Sequence, residues 1–150
     1  MIDLPSDGNE RLAVIGGALL IVSAFLPWAS IDVLGTTATS NGFSGMGYLA
    51  PLAGAISLWV VSMREWAAFE TKVTTVVGAL TVLSLGVLYT SLENVFAGGY
   101  PAHHVTVSPE PGIFVAFLAS ALVTVGGYRG MRAVGDDSSS RASESLEASS

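Results

Sequence analysis

Four titratable side chains stand where their type and neighbours could support chemistry: Asp32, Glu93, His103 and His104. Asp32 directly follows the uncharged segment FLPWASI, and Glu93 comes four residues after Tyr89. A carboxylate at the outer mouth of a membrane helix could take up a proton or a cation; the plainer reading, which these two positions favour, is a water-facing helix end. His103 and His104 are the only histidines. Neighbours on an extended segment point to opposite faces, so the pair could share one metal ion only if Glu93 or Glu110 were folded beside it. A pH-sensing role suits the imidazole pKa, and a polar loop is the default. With no cysteine, thiol catalysis, thiolate metal sites and CxxCH haem attachment are excluded. Phosphate loops, HExxH, GxSxG, nucleophile–base pairs and basic nucleic-acid patches are missing as well. The expectation is therefore no enzyme, no cofactor, no resident metal and no nucleic-acid partner.

The elements that must position these groups follow from composition. The chain has 150 residues, 51% hydrophobic against 12% charged, which is too apolar for an ordinary water-soluble domain. Mean hydropathy is +0.60. Between Arg11 and Asp32 lies an uncharged run that, as a helix at ~1.5 Å per residue, matches a hydrocarbon layer of about 30 Å. A secretory signal is the alternative for this run; Asp3, Asp7 and Glu10 before it and the lack of an A-x-A site favour a retained helix. After the polar stretch GTTATSNGFSG comes a second apolar run with Pro51 in its first turn, where a missing N–H costs little. The charged linker REWAAFETK precedes a third run, and PGIFVAFLASALVTVGGY makes a fourth. The expected fold is an all-α membrane protein, an antiparallel bundle of four transmembrane helices over about 12–32, 47–63, 73–92 and 112–128. In this reading residues 1–10 form a short acidic cytoplasmic N-terminus, 11–132 the transmembrane domain, and 133–150 a tail.

Cations set the orientation, since Lys and Arg are retained in the cytoplasm. Arg11, Arg64, Lys72, Arg129, Arg132 and Arg141 all fall on one side of this topology, so both termini are expected inside at the cell membrane. Trp28, Tyr48 and Tyr89 would mark the outer interface, Trp66 and Tyr128 the inner one. Between helices two and three, Trp66 and Phe69 are expected in the inner interface, with Arg64, Glu65, Glu70 and Lys72 facing water. Pro27 would bend the exit of helix one, with Trp28 anchoring the bend among headgroups. The β-prone VTV in YPAHHVTVSP could form a short strand and pair with TTATS to cap the bundle.

Small residues four apart mark helix-packing faces in lipid: Ala13 and Gly17, Ala50 and Gly54, Thr74 and Gly78, Ala116 and Ser120. They could serve internal contacts or a homo-oligomer. GALLIVS from Gly17 echoes GALTVLS from Gly78, and GYLAPLAGAISL from Gly47 loosely echoes GIFVAFLASALV from Gly112, which would make two tandem helical hairpins if it is a duplication. The segment DDSSSRASESLEASS lacks aromatics and is rich in Ser and acids, so a disordered cytoplasmic tail is expected. A net charge of −6 with one Lys against five Arg suits a halophilic archaeon.

The run GGALLIVSAFLPW, then NGFSGMGYL in a Gly/Thr/Ser loop, then further small-residue helices, resembles the small, largely uncharacterised four-helix "FLPW" membrane proteins of haloarchaea and actinobacteria. That resemblance implies a four-span integral membrane protein and brings no catalytic residue with it. The function expected is a non-enzymatic accessory, assembly or interaction component, its partners the lipid bilayer and a membrane protein or a second copy. A small transporter or channel with Asp32 or Glu93 at its outer mouth is the alternative, and a membrane enzyme comes third.

Overall fold

A computed structural model describes residues 8–33, 35–43, 45–62, 68–92 and 105–147. Among them the order is α1 (Gly8–Ser23), β1 (Pro27–Val33), β2 (Thr36–Asn41), a 3-10 turn (Gly45–Tyr48), α2 (Leu49–Ser62), α3 (Ala68–Thr90), β3 (Val105–Pro109) and α4 (Pro111–Glu147). Helix α4 packs along both α1 and α3, α2 packs on α1 and α3, and the three strands form one antiparallel sheet at the end of the bundle where α1 finishes and α4 begins.

The four-transmembrane-helix bundle is overturned by this arrangement. Among the described residues a three-stranded sheet accompanies four helices, and only α3 (over Phe69–Thr90) and α4 (over Pro111–Arg141) are long and apolar enough to cross a membrane. Helices α1 and α2, of 16 and 14 residues, reach roughly 24 and 21 Å at ~1.5 Å per residue, short of about 30 Å.

The largest discrepancy lies in the first run, expected to be helical over 12–32. Helix α1 ends at Ser23, and its last carbonyls are taken by tight i−3 bonds from Ala24, Phe25 and Leu26 (3.2, 3.1 and 3.1 Å). Pro27 has no N–H to continue the ladder and pushes Leu26 toward extended backbone, so the chain leaves as a strand. Hydropathy does not register this, because Trp28, Ala29 and Ile31 are as apolar in a strand as in a helix.

Strand β1 is the centre of the sheet, in the order β2-β1-β3. It pairs with β2 through Ile31↔Ala38, Asp32↔Thr37 and Val33↔Thr36, and with β3 through Ala29↔Pro109, Ser30↔Ser108 and Ile31↔Val107. VTV is thus a strand and TTATS lies in another, but they do not pair with each other; the unforeseen β1 lies between them. Trp28, expected as an exposed anchor, instead turns inward. It is fully buried, donates from Nε1 to the Ser23 carbonyl oxygen at 2.7 Å, and is enclosed by Gly42 and Gly112, where an added Cβ would stand 2.7 and 2.5 Å from its ring atoms. A side chain at either glycine would displace the indole.

Other boundaries also shift. Helix α1 already includes Gly8–Glu10, from the segment expected as a separate N-terminus. Helix α3 begins at Ala68, five residues before the expected start, so Glu70 and Lys72 belong to its first turns and not to a water-facing loop. The expected disordered tail is helical as far as Glu147. Its nucleation cost is already met by the apolar half of α4, and Ser138, Ser139 and Ser140 donate to the carbonyls of Gly135, Asp136 and Asp137 at 2.8, 2.8 and 3.0 Å.

Candidate functional site

All eight packing residues are buried. Ala13 and Gly17 on α1 face two different helices. Gly126 of α4 lies against the backbone of Ala13, and Gly17 lies against Gly54 of α2. On α3, Gly78 meets the backbone and hydroxyl of Thr124. Ala50, Thr74, Ala116 and Ser120 turn inward beside them, and each is 2% exposed or less. Close approach of backbones at Gly and Ala is how helices gain contact where the solvent is itself apolar.

The interior also holds hydroxyls. Ser23, Ser57, Thr74, Thr81 and Ser120 are buried, and each donates to a carbonyl one turn back on its own helix, at 2.7, 2.8, 2.9, 2.7 and 2.9 Å. Large apolar side chains point the other way: Trp59 is 63% exposed, Phe69 73% and Leu83 66%, with Ile15, Val22, Leu52, Ile56, Val76, Val87 and Leu118 also outward. The interior keeps an apolar core of Leu20, Trp28, Leu85, Leu88, Ile113 and Val123 beside these small and hydroxylated residues, so the unusual feature in water is the extent of large hydrocarbon left outside.

Asp32 is not at a helix end. It lies in β1 at the hairpin to β2, where Oδ1 accepts the Gly35 N–H and Oδ2 accepts the Thr37 hydroxyl, both at 3.1 Å. Gly35 takes φ +83°, a left-handed conformation that glycine adopts without steric cost, so aspartate and glycine shape the turn together. Asp32 therefore has a structural task in the hairpin. Glu93, His103 and His104 lie outside the described residues, and among the described residues no three potential metal-ligating side chains converge.

Two features escaped the sequence reading. Glu70, in the first turn of α3, has Oε2 buried with no hydrogen-bond partner. Its position four residues before Thr74 was the available signal, since that spacing places it on the interior face. The second is a groove of about 410 Å³ between α3 and α4, lined by Ala79, Val82, Leu83, Ala121, Thr124 and Val125. Lys72, Arg129 and Arg132 lie at one end of the bundle, all exposed. At the opposite end, where the sheet sits, the described residues carry Asp32 and Glu110 and no cation. No protein-family model matches the chain, and comparison with curated proteins finds no match.

Proposed function

We propose that the chain is a membrane-embedded, non-enzymatic protein acting as an accessory, assembly or interaction component at the cell membrane. The observation that carries this reading is the apolar shell: Trp59, Phe69, Leu80, Leu83, Leu118 and their neighbours are turned outward, around helices that approach closely at glycine and alanine. In water such a shell would drive aggregation; against hydrocarbon it costs nothing. Helices α3 and α4 are the two long and apolar enough to span a hydrocarbon layer by themselves, with the shorter α1 and α2 packed along them. The start of α1, the start of α3 and the polar part of α4 share the basic end, which faces the cytoplasm by the retention of Lys and Arg, and the sheet faces outside. Resemblance to the FLPW proteins enters here as a proposed kinship, supported by what that tetrapeptide does: it ends a helix and starts the central strand.

Accessory action is favoured over transport because Asp32 is committed to its turn and the inward hydroxyls to their own helices, and Glu70, whose buried Oε2 has no partner, stands in the first turn of α3 and not midway along the bundle. Native mass spectrometry of the tagged chain, gently extracted from its own membranes, tests the reading. A stoichiometric foreign subunit is the expected result. Solute flux by the purified protein alone in liposomes would overturn it, and release of the chain from membranes by alkaline carbonate would remove the membrane placement itself.

A further inference from the structure

We propose that the α3–α4 groove seats one anionic phospholipid, with an acyl chain along the groove and the phosphate held by Lys72, Arg129 and Arg132. The assignment rests on the membrane reading above. The groove offers only hydrocarbon contact, for its one hydroxyl, on Thr124, already donates to the Ser120 carbonyl at 2.8 Å.

Helical periodicity carries the groove to the basic end. Lys72, Val76, Ala79 and Leu83 recur at spacings of four, three and four, one stripe of α3; Ala121, Val125, Arg129 and Arg132 make the matching stripe of α4. The helices are antiparallel, with Gly78 against Thr124 and Gly127 against Thr71 and Thr75, so both stripes descend together toward the cations. Lys72 stands roughly 10 Å along the axis from Ala79 at ~1.5 Å per residue, about the step from upper acyl chain to headgroup. The Arg132 guanidinium lies 4.8 Å from the centre of the Tyr128 ring, which fixes its plane and leaves its N–H edge for a phosphate. Among the described residues no carboxylate pairs with Lys72, Arg129 or Arg132. Asp136 and Asp137 stand further out along α4.

Charge complementarity selects this occupant. A second copy related by a twofold axis along the membrane normal would bring two sets of the same three cations to one level, which repels. A free phosphate would use the cations and ignore the groove, whereas a bilayer lipid with an anionic headgroup satisfies both.

The test is native mass spectrometry of the full chain released from vesicles of equal phosphatidylglycerol and phosphatidylcholine. One phosphatidylglycerol per chain should be retained in preference to phosphatidylcholine. Lys72→Gln, Arg129→Gln and Arg132→Gln, all exposed positions, should each lower that retention about fivefold, and Ala121→Phe should lower it with the cations intact. Equal retention of the two lipids, retention unchanged by all three charge variants, displacement by millimolar inorganic phosphate, or a lipid-free dimer would each overturn the assignment. Failure of the chain to enter vesicles at all would instead remove the membrane reading, so the two failures are distinguishable.

Discussion

Gly54 and Gly17 meet back to back across α1 and α2: a Cβ on Gly54 would stand 2.6 Å from the Gly17 carbonyl oxygen, and one on Gly17 3.2 Å from that of Gly54. Since the obstacle is backbone, relief requires the helices to separate. Gly54→Ala should therefore lower stability by about 1–3 kcal/mol, and Gly17→Ala by less. Gly86 is the control, with nothing within 4 Å of an added Cβ; Gly86→Ala should raise stability by up to about 1 kcal/mol through helix propensity. Thermal unfolding in one detergent ranks all three, and equal losses at Gly54 and Gly86 would refute the packing assignment.

Trp28 ties the end of α1 to the sheet and to the start of α4. Trp28→Phe removes the Nε1 bond to Ser23 and part of the indole volume, an expected loss of about 1–3 kcal/mol. Trp28→Ala should cost about 3–5 kcal/mol. Hydrogen exchange should show amides of β1 and β3 losing protection before those of α3. Uniform loss over the whole chain would mean that Trp28 serves the bundle and not the cap.

Asp32→Ala removes both acceptors of the β1–β2 turn. The turn is solvent-exposed, so the expected loss is about 1 kcal/mol or less, with faster exchange at the Gly35 and Thr37 amides. Any ion flux measured in liposomes should be the same for Asp32→Asn as for the wild type. A flux abolished by Asp32→Asn would revive the outer-mouth carboxylate.

Beyond Val134 the side chains of α4 through Arg141 are exposed, and Gly135 has open space where a Cβ would stand. Removing residues 135–150 should shift bundle stability by no more than about 0.5 kcal/mol. Amides in the polar part of α4 should exchange far faster than those of its apolar part, because a Ser/Asp helix in water has little to hold it. A large destabilisation on truncation would show that this part of α4 packs on the bundle.

The packing glycines were legible because small residues at i and i+4 follow from helical geometry, whatever the neighbour proves to be. Gly17 illustrates the limit: its spacing from Ala13 marks a face, yet Ala13 meets α4 while Gly17 meets α2. The β-prone character of VTV and TTATS was legible too. Their common partner was not, since β1 lies inside an uncharged run and its apolar residues carry no label for helix or strand. Pro27 was the signal, and it reads as a helix stop only when Trp28 is seen to need the space beneath the sheet. Lys72 was misplaced because charge was taken to end a helix, whereas α3 accommodates it on the outer face of its first turns.

By itself the sequence determined the apolar character of the chain and its small-residue faces, which depend on residue type and short spacing. Only the tertiary structure decided that 27–33 is the central strand of a sheet, that Trp28 is buried between two glycines, and that segments of α3 and α4 far apart in sequence line one groove. Each of these depends on which backbones approach each other across the chain, and hydropathy along a single segment does not encode that choice.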